Sequence, residues 1–233
     1  MIYKSFLFIP DFWTKYIYYL CNLFFMSSFG EKLKGFLVKP VETFQAHRGE
    51  SLGAAYKYYI VLFVIFSILF GIVAIALDMN FMTSTIDALS QVPGMEWASD
   101  FSAFSSFLVS FDIFVVYITF VIGLFWIFVS GLILHCFVLM FDGEKGYVQT
   151  IKALMYSYTP YLILGWIPYV NIIVAIWMLV LLVLGIRELQ ELSTGKAVLV
   201  VIIPIILVLI GLALFAVVVA AFIGGILGLT GLV

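Results

Sequence analysis

Charge is what this sequence has least of. Only 10% of its 233 residues are Asp, Glu, Lys or Arg, while 65% are hydrophobic. A soluble domain carries about a quarter charged residues to clothe its surface, so composition excludes an ordinary soluble fold and points to lipid as the solvent. The net charge of −2 gives no basic balance for nucleic acid. Cysteine is scarce, with Cys21 and Cys136 in apolar surroundings. That argues against a disulfide framework, and also against a zinc site, which needs clustered ligands. The two histidines, His47 and His135, lie far apart in the chain. No His-Glu-x-x-His pair, Gly-x-Ser-x-Gly elbow or Gly-Lys-Ser/Thr phosphate loop occurs. No catalytic constellation or cofactor site is therefore expected.

What is present is a set of long apolar runs. A span needs about twenty mainly apolar residues. The runs predict an all-α, polytopic membrane protein with five spans at about 56–77, 113–140, 149–165, 170–186 and 197–227. The third and fourth form a tight pair around Gly165-Trp166-Ile167-Pro168, which cross twice or re-enter. Pro204 falls in the first turns of the fifth or kinks it.

Charge sidedness orients the spans. From Lys32 onward the basic residues are Lys32, Lys34, Lys39, Arg48, Lys57, Lys145, Lys152, Arg187 and Lys196. They fall at the junctions before the first span, between the second and third, and between the fourth and fifth. Loops 78–112 and 165–169 carry no Lys or Arg, and the former holds Asp78, Asp87, Glu96, Asp100 and Asp112. The positive-inside rule then places the N-terminus in the cytoplasm and Val233 outside.

Residues 1–28 read as an aromatic-rich extension broken by Pro10, Asp11 and Lys15, with Met26 the expected natural start. Residues 29–55 read as cytoplasmic interfacial helices. Phe29, Leu33, Phe36 and Leu37 share one helical face, which predicts a short amphipathic helix lying on the leaflet. Pro40 ends it and opens a second helix, after which Val41, Phe44 and Leu52 are expected to touch the membrane. Residues 56–233 are the five-span domain.

Few polar residues enter the spans. His135, Tyr156, Tyr158 and Thr159 form a candidate intramembrane polar site. For each the structural reading stands beside it. His135 can bond a carbonyl or reach interfacial water. Pro160 frees the Tyr156 carbonyl, which a nearby hydroxyl can satisfy. Gly143 and Gly146 in loop 141–150 allow positive φ for a turn. Arg187 suits a helix C-terminus, and Glu188 and Glu191 read as solvated, with Lys152 or Lys196 as candidate partners for Glu188. Ala216, Ala220, Gly224 and Gly228 make a small-residue stripe for helix packing within the chain, or for a homo-oligomer seam.

Three stretches carry a resemblance: LVKPVETF at 37–44, FDGEKGYVQTIKALMYSYTPYLIL at 141–164 and LGIRELQELSTGKAVLVVIIP at 184–204. Together they resemble the Yip family of Ypt/Rab-interacting membrane proteins, in its prokaryotic branch, over about residues 30–210. The matching positions are Pro40, Glu42, Phe44, Gly143, Gly146, Tyr158, Pro160, Glu188, Lys196 and Ala197. The resemblance implies five spans with a cytoplasmic N-terminus. Eukaryotic members associate with prenylated Rab-type GTPases in vesicle traffic; this chain lacks their long polar N-terminal domain, which points to a prokaryotic cell membrane.

The reading favoured from these residues is a non-enzymatic scaffold that organises membrane or recruits a cytoplasmic protein partner, in contact with the lipid bilayer and not with nucleic acid. The alternative is a small transporter or channel with a polar path near His135, Tyr156, Tyr158 and Thr159. A third, an enzyme acting on lipid or protein, would need a carboxylate or histidine pair meeting in space, for example His135 with Glu144 or Glu188.

Overall fold

The computed structural model describes residues 28–94 and 102–229. The expected N-terminal extension and the Met26 start lie outside these residues. The described residues form eight helices and contain no strand: α1 (28–38), α2 (Pro40–Ala46), α3 (Leu52–Ser90), α4 (Ser102–Met140), α5 (Tyr147–Ser157), α6 (Thr159–Leu164), α7 (Val170–Gln190) and α8 (Thr194–Leu229). The expected all-α class holds. Among the described residues four segments are long and apolar enough to cross a membrane: Leu52–Leu77, Phe114–Met140, Val170–Gln190 and Thr194–Phe222.

The third expected span differs from its prediction. It is two helices, α5 and α6, broken at Tyr158, and neither is long enough alone. The break has a local cause. Pro160 has no N–H to return to the Tyr156 carbonyl, and Thr159 Oγ1 donates to that carbonyl instead at 2.6 Å. Ile151 through Ser157 are all buried, because α5 packs chiefly against α7 and α4, and also against α3.

The expected loop 78–112 is also corrected. Helix α3 continues to Ser90 and α4 begins at Ser102, so most of the loop is helical. At 39 residues each, these helices run to about 58 Å at 1.5 Å per residue, well beyond a ~30 Å hydrocarbon core. Pro204 sits in the body of α8 rather than its first turn.

The N-terminal helices depart most from expectation. Phe36 and Phe44 are fully buried. The apolar face of α1 and the Phe44 ring therefore dock on the chain's own bundle rather than on the leaflet. Two glycines make the docking close enough. A Cβ on Gly35 would lie 2.6 Å from Thr43 Oγ1, so α2 folds tightly back on α1. A Cβ on Gly185 would lie 2.8 Å from the Phe44 ring, so α7 offers a notch for it. Phe36 stacks on Tyr156 of α5 with centroids 4.7 Å apart and meets Phe44 edge-on at 5.0 Å.

Turns 47–51, 141–146 and 191–193 all meet at one end of the bundle. Lys145 and Arg48 both pair with Glu191, and Lys196 pairs with Asp142 at 2.6 Å. Helix α7 ends there, so its start at Val170 lies about 30 Å away along its own axis.

Candidate functional site

The polar side chains concentrate at that end. Lys32 of α1 is 8% exposed, and its Nζ donates to Glu50 Oε2 at 2.5 Å. Tyr156 Oη, from α5, also donates to Glu50 Oε2 and accepts a longer 3.4 Å bond from Lys32. The Lys32 ammonium lies 4.7 Å from the Tyr156 ring centroid and 5.1 Å from that of Tyr58, a cation–π arrangement that favours the charged form. A carboxylate, an ammonium and a phenol from three chain segments thus satisfy one another where none has full access to water.

Burial alone would raise the Glu50 carboxyl, but the bonds from Lys32 and Tyr156 outweigh it and hold it below its ordinary value. Burial pushes the Lys32 ammonium below its ordinary range, with Glu50 opposing. Each group at this pair therefore releases its proton more readily than in water.

Lys152 is a second buried cation, 1% exposed. Among the described residues it pairs with no carboxylate. Its Nζ donates to the carbonyls of Arg48 at 2.6 Å and Glu50 at 2.8 Å, which fixes the 48–50 turn onto α5. The expected Glu188 partnership with Lys152 or Lys196 is corrected accordingly. Glu188 accepts from Gln45 Nε2 at 2.7 Å and pairs with Arg187 at 2.6 Å. Nor is Glu188 freely solvated, since its side chain is 13% exposed.

Glu191 closes α7 in the left-handed region, φ 55°, where glycine is usual. Its carboxylate holds Arg48 and Lys145 from two other turns, and the Lys145 bond leads the effects that keep it below its ordinary value. Leu192 N donates to Arg187 O to complete the cap.

Gln190 pins the turn between α4 and α5. It is 2% exposed. Its Oε1 accepts from Lys145 N at 3.0 Å, and its Nε2 donates to Gly146 O and Thr150 Oγ1, both at 2.9 Å. The two glycines in that turn serve different needs. Gly146 adopts positive φ, 81°. Gly143 does not, and Asp142 holds the left-handed conformation beside it. Gly143 is there for space, because a Cβ would fall 2.2 Å from Val138 Cγ1 and 3.0 Å from Val138 O.

The candidate intramembrane site divides. His135 Nδ1 shares a 2.8 Å bond with Thr150 Oγ1, and its ring meets Tyr147 edge-on. Thr159 instead meets Tyr58, hydroxyl to hydroxyl at 3.1 Å. Tyr156 belongs to the Lys32–Glu50 pair, and Tyr158 stands at the α5–α6 break against Tyr59. His135 is therefore held by Thr150 rather than by Tyr156, Tyr158 or Thr159, or by Glu144 or Glu188. Among the described residues no group of three His, Cys, Asp or Glu side chains could hold a metal.

Of the remaining positions, Pro40 starts α2, Glu42 is exposed beside Lys39, Pro160 is buried in α6, and Ala197 is fully buried at the start of α8. Ala216 and Ala220 are exposed, so nothing among the described residues covers the small-residue stripe at those two positions. The surroundings of Gly224 and Gly228 lie outside the described residues.

Lys32, Glu50, Lys152 and Gln190 were not singled out as a cluster by sequence reasoning. The signal available was their position: a lysine one turn into an apolar segment, and a glutamine closing one.

The Yip1 domain matches residues 34–215 of the chain. No curated protein and no solved structure matches it significantly.

Proposed function

The chain belongs to the Yip1 domain family and is an integral membrane protein, and from that premise we propose that it is a non-enzymatic scaffold whose cytoplasmic face recruits a protein partner. The observation that carries this is the destination of the charges. Lys32, Arg48, Lys145, Lys152, Arg187 and Lys196 converge on one end of the bundle, where carboxylates and carbonyls of the same chain take them up. Charge spent on clamping four chain segments together builds a rigid platform.

Five passes suit this reading. Turns 141–146 and 191–193 are clamped together at one end, and α7 begins about 30 Å away. Helices α5 and α6, Tyr147 to Leu164, cover about 27 Å as a kinked pair, which supports a crossing that returns the chain to the platform by α7. The basic end is then cytoplasmic, and the bilayer surrounds the exposed apolar faces of α3, α4, α7 and α8.

The test is crosslinking of the full chain in native membranes, followed by mass spectrometry of what it carries. Lys34 and Glu42 are exposed on the platform, so Lys34→Glu with Glu42→Lys alters its surface without touching the core. A specific partner lost in that variant supports the proposal. A chain that carries no partner in either form contradicts it. Proteoliposome flux of ions or small solutes, abolished by Thr159→Val, would establish the transport alternative, for which the Tyr58–Thr159 contact is the one supporting observation.

A further inference from the structure

A cleft of about 380 Å³ opens beside the Lys32–Glu50 pair. Its walls include Lys32, His47, Ser51, Gly53 and Lys57. Four features define what would fit it. It sits at the first turn of α3, where the Leu52–Leu77 apolar segment begins, and a bilayer fitted to that segment would put the cleft at headgroup depth. Its carboxylate is already consumed, since Glu50 accepts from both Lys32 and Tyr156. Lys32 is nine-tenths buried yet not exhausted: an ammonium has three donors, and Glu50 and Tyr156 take two. Lys57 is exposed and joins none of the ion pairs among the described residues.

Charge bookkeeping then leaves the cleft positive. Lys32 and Glu50 cancel, and Lys57 remains. The start of α3 adds to this: Ser51 caps the Ala54 N–H, and Gly53 has nothing within 4 Å of where a Cβ would be, so the positive end of the helix can be approached there. We propose that this cleft binds a phosphate-bearing anion at the cytoplasmic leaflet, held by Lys57 and the remaining Lys32 donor. The assignment stands independently of any protein partner.

The experiment uses the full chain in nanodiscs of phosphatidylcholine doped with phosphatidic acid. Native mass spectrometry reads the ratio of the two lipids retained on the released protein. Wild type is expected to enrich phosphatidic acid. Lys57→Gln should lower that enrichment roughly fivefold, the worth of one lysine near an anionic surface. Lys145→Gln, a cation of the same face outside the cleft, should leave it unchanged. A second arm adds inorganic phosphate. Enrichment that survives it identifies the lipid headgroup as the source; enrichment that phosphate competes away identifies the bare phosphate group as what is read. Equal retention of the two lipids by wild type overturns the proposal. So does unchanged enrichment in a Lys57→Gln protein that melts with wild type.

Discussion

The two ends of this bundle are built differently. At one end Phe36, Phe44, Ile151 and Tyr156 have no exposure, and two buried lysines make four hydrogen bonds, to Glu50, Tyr156 and the carbonyls of the 48–50 turn. Toward the other, every residue of α8 from Ile206 to Phe222 is exposed. The first end is packed like a soluble core, with most of its polar groups bonded to one another. The second is a surface shaped for lipid. Stability and specificity therefore reside at the charged end, and the apolar bulk of the chain mainly serves the solvent it sits in.

The contrast breaks most severely at Phe44. Phe44→Ala should cost about 3–5 kcal/mol by emptying the notch at Gly185, whereas Phe215→Ala, at an exposed position, should stay within about 0.5 kcal/mol. Thermal unfolding in the same detergent compares them, and equal losses would erase the distinction.

Glu50→Gln comes next, at about 3 kcal/mol, because it leaves the buried Lys32 without its carboxylate. The pH dependence follows in sign. A carboxyl held below its ordinary value contributes stability above the usual carboxylate range, and loses it as pH falls through the depressed value. Melting temperature should thus fall in acid for wild type, below about pH 4, and fall less steeply for Glu50→Gln. Parallel acid profiles would contradict the assignment.

Gly143→Ala should cost about 1–3 kcal/mol through overpacking against Val138. Gly146→Ala should show the cost of forcing positive φ on an L residue instead. Limited proteolysis of the 141–146 turn, with melts, reads both; no effect in either would remove the need for glycine there. Lys196→Ala is the smallest change at this end. Its exposed pair with Asp142 is worth about 1 kcal/mol or less, and a melt in high salt should hide the difference.

Much of this was legible in the sequence. The apolar runs announced the long helices because span length is set by bilayer thickness. Basic residues marked the end where the turns meet. Pro160 and a neighbouring hydroxyl marked the α5–α6 break. What was hidden is which surface the amphipathic helix covers. Periodicity places Phe36 on an apolar face, but lipid and a protein notch look alike to that face. Only Gly35 and Gly185, far apart in sequence, decide for the notch. The Lys32–Glu50–Tyr156 contact was hidden for the same reason: it joins residues separated by up to 124 positions, and nothing local in any of them signals the others. Helical continuation of α3 and α4 past the apolar runs was masked because hydropathy reports the solvent and not the backbone.

The central claim is that α5 and α6 carry the chain across the membrane, so that every charged turn shares the cytoplasmic side. Single-cysteine labelling tests it directly, in a background with Cys21 and Cys136 replaced by serine. Glu144→Cys and Tyr169→Cys are placed in exposed turns at opposite ends of α5–α7 and treated with a membrane-impermeant maleimide on intact cells. The account predicts that Tyr169→Cys is labelled from outside and Glu144→Cys only after the cells are opened. Labelling of both from the same side would contradict it.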